Sequence, residues 1–223
     1  MDIQNILMLS TASLNLGAGI ITLMRNYRDR VNLFYFLFSV FIAFWCICLI
    51  LFRYYRADFI SDIAGRSSYI AGLLMSYFYY LFTAYFPYPN KELKKTWLVL
   101  FFMIFLYFSV VILFTDFFVI STYMKEGVAT LVTNKLNFAF FAIVLGSVVS
   151  VAIKNLYLKF KTVQGVYRHQ LNVLLLVSLI AASMGYIFDV IMPFFGDFSL
   201  NWLGALFLSL MVLSMGRMMI VNK

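Results

Sequence analysis

Residues 31–52 read VNLFYFLFSVFIAFWCICLILF, twenty-two consecutive positions without a formally charged side chain. A helix crossing the hydrocarbon layer of a bilayer needs ~20 mostly apolar residues, because lipid offers no partner for backbone N–H and C=O groups and only an unbroken helix satisfies them internally. Six further uncharged stretches divide the chain almost end to end: 3–24, 67–90, 96–115, 136–153, 170–188 and 198–216. The expected fold is all-α, a polytopic membrane protein built as a seven-transmembrane-helix bundle, with residues 1–223 forming a single domain. With 64% of residues hydrophobic and only 12% charged, the chain is far more apolar than soluble domains. Stretch 3–24 has no basic segment before it and no small-residue cleavage pattern after it, so it reads as a retained helix rather than a signal peptide.

Charge sets the expected orientation. With the N-terminus outside and the C-terminus inside, twelve of the seventeen basic residues fall on the inner side, among them Arg25, Arg28, Arg30, Lys91, Lys94, Lys95, Lys154, Lys159, Lys161, Arg168, Arg217 and Lys223. The outer side keeps Arg53, Arg56, Arg66, Lys125 and Lys135, together with most of the acidic residues, so the bias is positive-inside. An anionic cytoplasmic leaflet attracts such inner loops, and membrane lipid rather than nucleic acid accounts for the net charge of +8. Arg53, Arg56 and Arg66 share one outer loop with Asp58 and Asp62, which partly offset them.

Cys46 and Cys48 are two apart on one helix, face different sides and read as buried free thiols. His169 reads as an interfacial residue whose ring reaches toward water. One histidine and two buried cysteines assemble no metal cluster, and no cofactor is expected. The loop segment 117–124, FFVISTYM, could extend the fourth helix, lie flat at the interface or fold over the bundle as a lid. Its Phe and Tyr residues favour the interface.

Small residues four apart mark close helix contacts in membranes. Ser13 with Gly17, Gly146 with Ser150, Ser178 with Ala182 and Ala181 with Gly185 show this spacing, and their density in the sixth stretch predicts a central, crowded helix there. The Phe-rich second and third stretches are expected to face lipid or fill gaps. Polar groups within apolar spans are costly and draw attention for that reason. Asn15, at mid-span, is expected to make an interhelical hydrogen bond. Asp189 stands near the outer end of the sixth span with Tyr186 and Gly185 on its face. Asp116, Asn137, Asn201 and Trp202 occupy the outer ends of the fourth, fifth and seventh spans. Together the six would ring an outward-facing ligand pocket; singly, each reads as capping a helix end at headgroup level.

No H-E-x-x-H, G-x-S-x-G or G-x-x-x-x-G-K-[ST] pattern occurs, and the seventh span has no lysine to carry a Schiff base. The chain as it stands is not expected to be an enzyme. Tyr167-Arg168-His169-Gln170-Leu171 entering the sixth span, Gly185, Asp189 and Pro193-Phe194-Phe195-Gly196 leaving it, then Leu203-Gly204 and the closing Gly216-Arg217-Met218-Met219-Ile220 resemble the end of the N-terminal seven-transmembrane sensor region of bacterial membrane histidine kinases. Asn32, Phe36, Trp45, Phe82, Phe86-Pro87 and Thr115-Asp116 fit upstream. Asp116 and Asp189 depart from that pattern, which has asparagine at these places, and the sequence ends where the family continues into a linker and transmitter.

The resemblance implies a multi-pass sensor of the bacterial cytoplasmic membrane. It would detect an unknown signal ligand and pass a bundle rearrangement through the seventh helix, at Arg217, to a cytoplasmic transmitter domain in cis or in trans. The apolar run 218–221 is expected to need a covering partner, a following linker or the same helix of a homodimer. A small-molecule transporter, or a membrane subunit of one, is the rival. Polar groups concentrated at the outer end, with Asn15 nearly alone at depth, favour reception.

Overall fold

The structure, a computed structural model, describes residues 2–54, 59–89, 95–125 and 128–221. Among these, seven helices form an up-and-down bundle: α1 (Ile3–Arg25), α2 (Arg30–Tyr54), α3 (Phe59–Tyr85), α4 (Lys95–Phe114), α5 (Lys135–Thr162), α6 (Val166–Phe194) and α7 (Asn201–Val221). Five of them, α1, α2, α5, α6 and α7, are long and apolar enough to cross a membrane. The apolar part of α4 is shorter, Val99–Phe114, and α3 carries Asp62, Arg66 and many tyrosines and serines. Leu100, Phe102, Met103, Leu106, Tyr107 and Val110 of α4 are exposed, while Phe108 and Ile112 are buried. An apolar surface of that extent belongs in an apolar surrounding.

The centre of the bundle is α3, sixteen of whose 27 residues are buried, with α2 packed along it. Half of the most apolar window of α2 is buried, against 22% for α6. This reverses the expectation of a crowded sixth helix, and the Phe-rich second and third helices take the gap-filling alternative. The reason is that aromatic rings interlock between α2 and α3: Phe38 meets Tyr79 with centroids 5.6 Å apart, and Phe41 stacks on Phe78 at 5.4 Å. The small residues of α6 serve a different end, described below.

The helical expectation holds for most of the described residues, but not for the segment after α4. Residues Val119–Lys125 form strand β1 and Val128–Thr133 form β2, an antiparallel hairpin pairing Thr122 with Leu131. The segment therefore does not prolong α4; it folds over one end of the bundle as strands, as in the third of the sequence alternatives. Its β-branched and aromatic residues suit a pleated, half-buried surface. Phe118, Val119, Ala129 and Leu131 turn inward, while Ile120 and Tyr123 stay exposed. Tyr69 of α3 anchors this end: the rings of Phe118, Phe138 and Phe141 stand edge-on to it at 5.1, 5.7 and 5.5 Å, the geometry that aromatic quadrupoles favour.

Two buried cations tie helix ends together, and both sit where loops were expected. Arg66 lies inside α3, 6% exposed. Its Nε donates to Asp62 at 2.8 Å, Nη1 to the carbonyls of Ile112 and Thr115 at 3.0 and 2.8 Å, and Nη2 to Asp116 and the Val119 carbonyl at 3.3 and 2.9 Å. All five guanidinium N–H groups are thus used, joining α3, the last turn of α4 and the start of the hairpin. Asp62 in turn accepts from Thr122 Oγ1 at 2.7 Å. At the opposite end Lys159 of α5, 3% exposed, points Nζ at the carbonyls of Thr83, Ala84, Phe86 and Tyr88 at 2.7–2.9 Å. It supplies donors to the C-terminus of α3, whose last carbonyls have none within the helix.

Asn15 makes the interhelical bond expected of it, donating to Ser209 Oγ of α7 at 2.9 Å and to the Thr11 carbonyl at 2.8 Å. Cys46 and Cys48 are both free and buried, and His169 is exposed. Arg25 bonds the Met219 carbonyl at 2.9 Å, so the described Arg25, Arg28, Arg30, Lys159, Lys161, Arg168 and Arg217 share the end away from the hairpin. Arg56, Asp58, Lys91, Glu92, Lys94, Glu126 and Lys223 lie outside the described residues.

Candidate functional site

Between α2, α3, α5, α6 and α7, toward the hairpin, lies a cavity of about 550 Å³. The small residues of α6 open it: Ser178, Ala181, Ala182, Ser183 and Gly185 all line it, leaving room where larger side chains would close the gap to α3 and α5. The hairpin contributes Leu131 to its wall, and Leu131 and Phe52 both close over Gly65. Most of the lining is apolar or aromatic, including Phe38, Trp45, Phe52, Tyr69 and Phe141.

Asp189 belongs to a π-helical turn, Ile187–Ile191, just before Pro193. Such turns insert one extra residue into the helical repeat and recur at functional sites. Asp189 lines the cavity, and its Oδ1 is buried with no hydrogen-bond partner from the protein. The carboxylate lies against α7 at Gly204, where any Cβ would collide with it. Three residues earlier on the same face of α7, Asn201 is 3% exposed and its Oδ1 likewise lacks a protein partner. The hydroxyls of Tyr69, Tyr79 and Ser178, which also line the cavity, are further such atoms. Ser68 and Ser76 line the cavity too, but their hydroxyls donate to the Gly65 and Leu73 carbonyls of their own helix at 2.7 and 2.8 Å.

The six candidates drawn from sequence divide. Asp189, Tyr186 and Asn201 meet at the cavity; Tyr186 packs its ring against Gly146 and donates to the Ala142 carbonyl at 3.4 Å. Trp202, next to Asn201, packs on the main hydrophobic core instead. Asp116 is a surface residue, its side chain 84% exposed and paired with Arg66. Asn137 donates to the Phe117 carbonyl at 2.5 Å and braces the approach to the hairpin. The expected ring of six is therefore a cluster of three with a separate surface network above it. Sequence reasoning overlooked Tyr69 and assigned no role to Gly204. A glycine one turn after a buried asparagine was the available signal.

Arg217 is exposed on α7 at the far end. Helix α7 runs on to Val221, but Met219 is buried against the bundle, so part of the apolar run expected to need a partner is covered within the chain.

Among the described residues no Lys, Arg or His lines the cavity, and no group of three His, Cys, Asp or Glu side chains is placed to hold a metal ion. Chemically the site offers two oxygen acceptors and a hydroxyl at one end of an apolar, aromatic chamber. Comparison with protein-family models, with curated proteins and with solved structures returned no match.

Proposed function

We propose that the chain is a seven-span sensory domain of a bacterial cytoplasmic membrane, with its N-terminus outside, that binds a small signal molecule in the cavity beside Asp189 and passes the resulting change in packing through α7 to a cytoplasmic histidine kinase-type transmitter. The observation that carries this reading is the cavity itself, of a size that ligand sites commonly have, with an unpaired carboxylate at one end. It lies toward the hairpin, away from the cluster of basic residues that the positive-inside bias assigns to the cytoplasm. Helix α7 links the two regions: Asn201 and Gly204 stand at the cavity and Arg217 at the basic end. A ligand that favours one packing of α7 against α6 would shift the state of whatever follows. Helices α3 and α4 count as spans in this reading because the polar groups of α3 are turned onto protein rather than lipid.

Fusion of a histidine kinase transmitter after Lys223 through linkers lengthened one residue at a time tests it. Kinase activity should rise and fall with the ~3.6-residue helical period, and Asp189→Asn should alter its response. Activity indifferent to phase would remove α7 as the output and favour the transporter reading. A reporter fused after Lys223 that reads periplasmic would overturn the orientation.

A further inference from the structure

We propose that the cavity takes an organic cation, a protonated amine carried on an apolar body, with the ammonium group held between Asp189 Oδ1 and Asn201 Oδ1. This rests on the reading of the cavity as the ligand site and narrows it to one chemical class. Both buried oxygens are acceptors without a protein donor, and a buried acceptor left unmatched is costly. A ligand that supplies several N–H donors and a positive charge matches both. Among the described residues no basic side chain lines the chamber, and Arg66, the buried cation of α3, already spends every N–H on Asp62, Asp116 and three carbonyls.

Other classes fit worse. An anionic ligand would face the carboxylate with nothing to offset it. A neutral apolar ligand would leave both oxygens unmatched. A calcium or magnesium ion wants six or more oxygen ligands, and this end of the chamber presents the Asp189 carboxylate, Asn201 Oδ1 and the Tyr69 hydroxyl. Aromatic rings suit a cation, since Trp and Tyr faces attract ammonium groups, and Trp45, Tyr69 and Tyr186 all line the chamber. Gly204 fixes the place of that carboxylate: α7 approaches it so closely that a methyl group there would displace it.

The test uses the full chain in a non-ionic detergent and three probes of nearly equal shape, 4-phenylbutylamine, 4-phenylbutan-1-ol and 4-phenylbutanoate. Affinity is read by calorimetry, with the fluorescence of the chain's tryptophans, Trp45 among them, as a second signal. The amine should bind at least about tenfold more tightly than the alcohol, the preference a single charge-assisted contact supplies, and the carboxylate most weakly. Asp189→Asn, nearly isosteric, should bring amine and alcohol to parity, and Asn201→Leu should weaken the amine more than the alcohol. If Asp189→Asn fails to fold, the ranking of the three probes on the native chain decides alone. Equal binding of amine and alcohol, preference for the anion, a preference that survives Asp189→Asn, or no binding of any probe would overturn the proposal. The two readings separate in the transmitter chimera: selective amine binding without a kinase response sinks the sensory role and keeps the cation site, whereas an equal response to amine and alcohol does the reverse.

Discussion

Replacing Arg66 by methionine should be among the most damaging single changes at the hairpin end of this bundle. The guanidinium bonds the carbonyls of Ile112, Thr115 and Val119 and two carboxylates, and it is 6% exposed. Methionine fills most of the volume and supplies no donor. The Ile112 and Val119 carbonyls are buried, and each buried group left unmatched costs ~1–3 kcal/mol, so the loss should be about 2–6 kcal/mol. Asp62 is partly exposed and Asp116 largely so; water can take up their charge, and they add little. The contrast is Asp116→Ala, which removes only a surface pair and should cost less than about 1 kcal/mol. Arg66→Lys keeps the charge but has three donors rather than five, so it should fall between. Thermal unfolding of the purified chain in detergent measures all three, and limited proteolysis within the hairpin reports whether β1 and β2 detach first. The reasoning fails if Arg66→Met unfolds within about 1 kcal/mol of the native chain, or if Asp116→Ala is as harmful as Arg66→Met.

Lys159→Met should destabilise the opposite end by about 2–4 kcal/mol, since it strips donors from the carbonyls of Thr83, Ala84, Phe86 and Tyr88; the same unfolding assay checks it, and a neutral result would mean that other groups take over those carbonyls. Gly204→Ala drives a methyl group into the Asp189 carboxylate and should cost ~1–3 kcal/mol, as overpacking does, whereas Gly146→Ala places its Cβ at an ordinary 3.4 Å from the Tyr186 ring and should change stability by less than about 0.5 kcal/mol. Asn15→Ala should cost roughly 0.6–2 kcal/mol, and the double variant with Ser209→Ala should cost clearly less than the sum of the two single changes, because both remove one bond between α1 and α7.

Long uncharged stretches were enough to establish the helices, because backbone hydrogen bonding in an apolar medium permits little else. The chain order of those stretches and the polarity of their ends placed Asp189, Asn201 and Tyr186 at one level, and Asn15 had to find a partner inside the bundle because no apolar solvent could supply one. What the side chains did with each other was not legible in this way. Arg66 and Lys159 read as loop charges, since sequence alone does not show that each would meet a set of helix-end carbonyls contributed by segments some 50 to 75 residues away. The strand character of FFVISTYM depended on a partner strand at 128–133 that completes its hydrogen bonding. The small residues of α6 look the same in sequence whether they admit a neighbouring helix or leave a chamber, and only the packing of α2, α3, α5 and α7 around them decided for the chamber. Helix periodicity is a local property of the chain, but a cavity is the difference between volumes contributed by five helices, and that difference exists only once they are assembled.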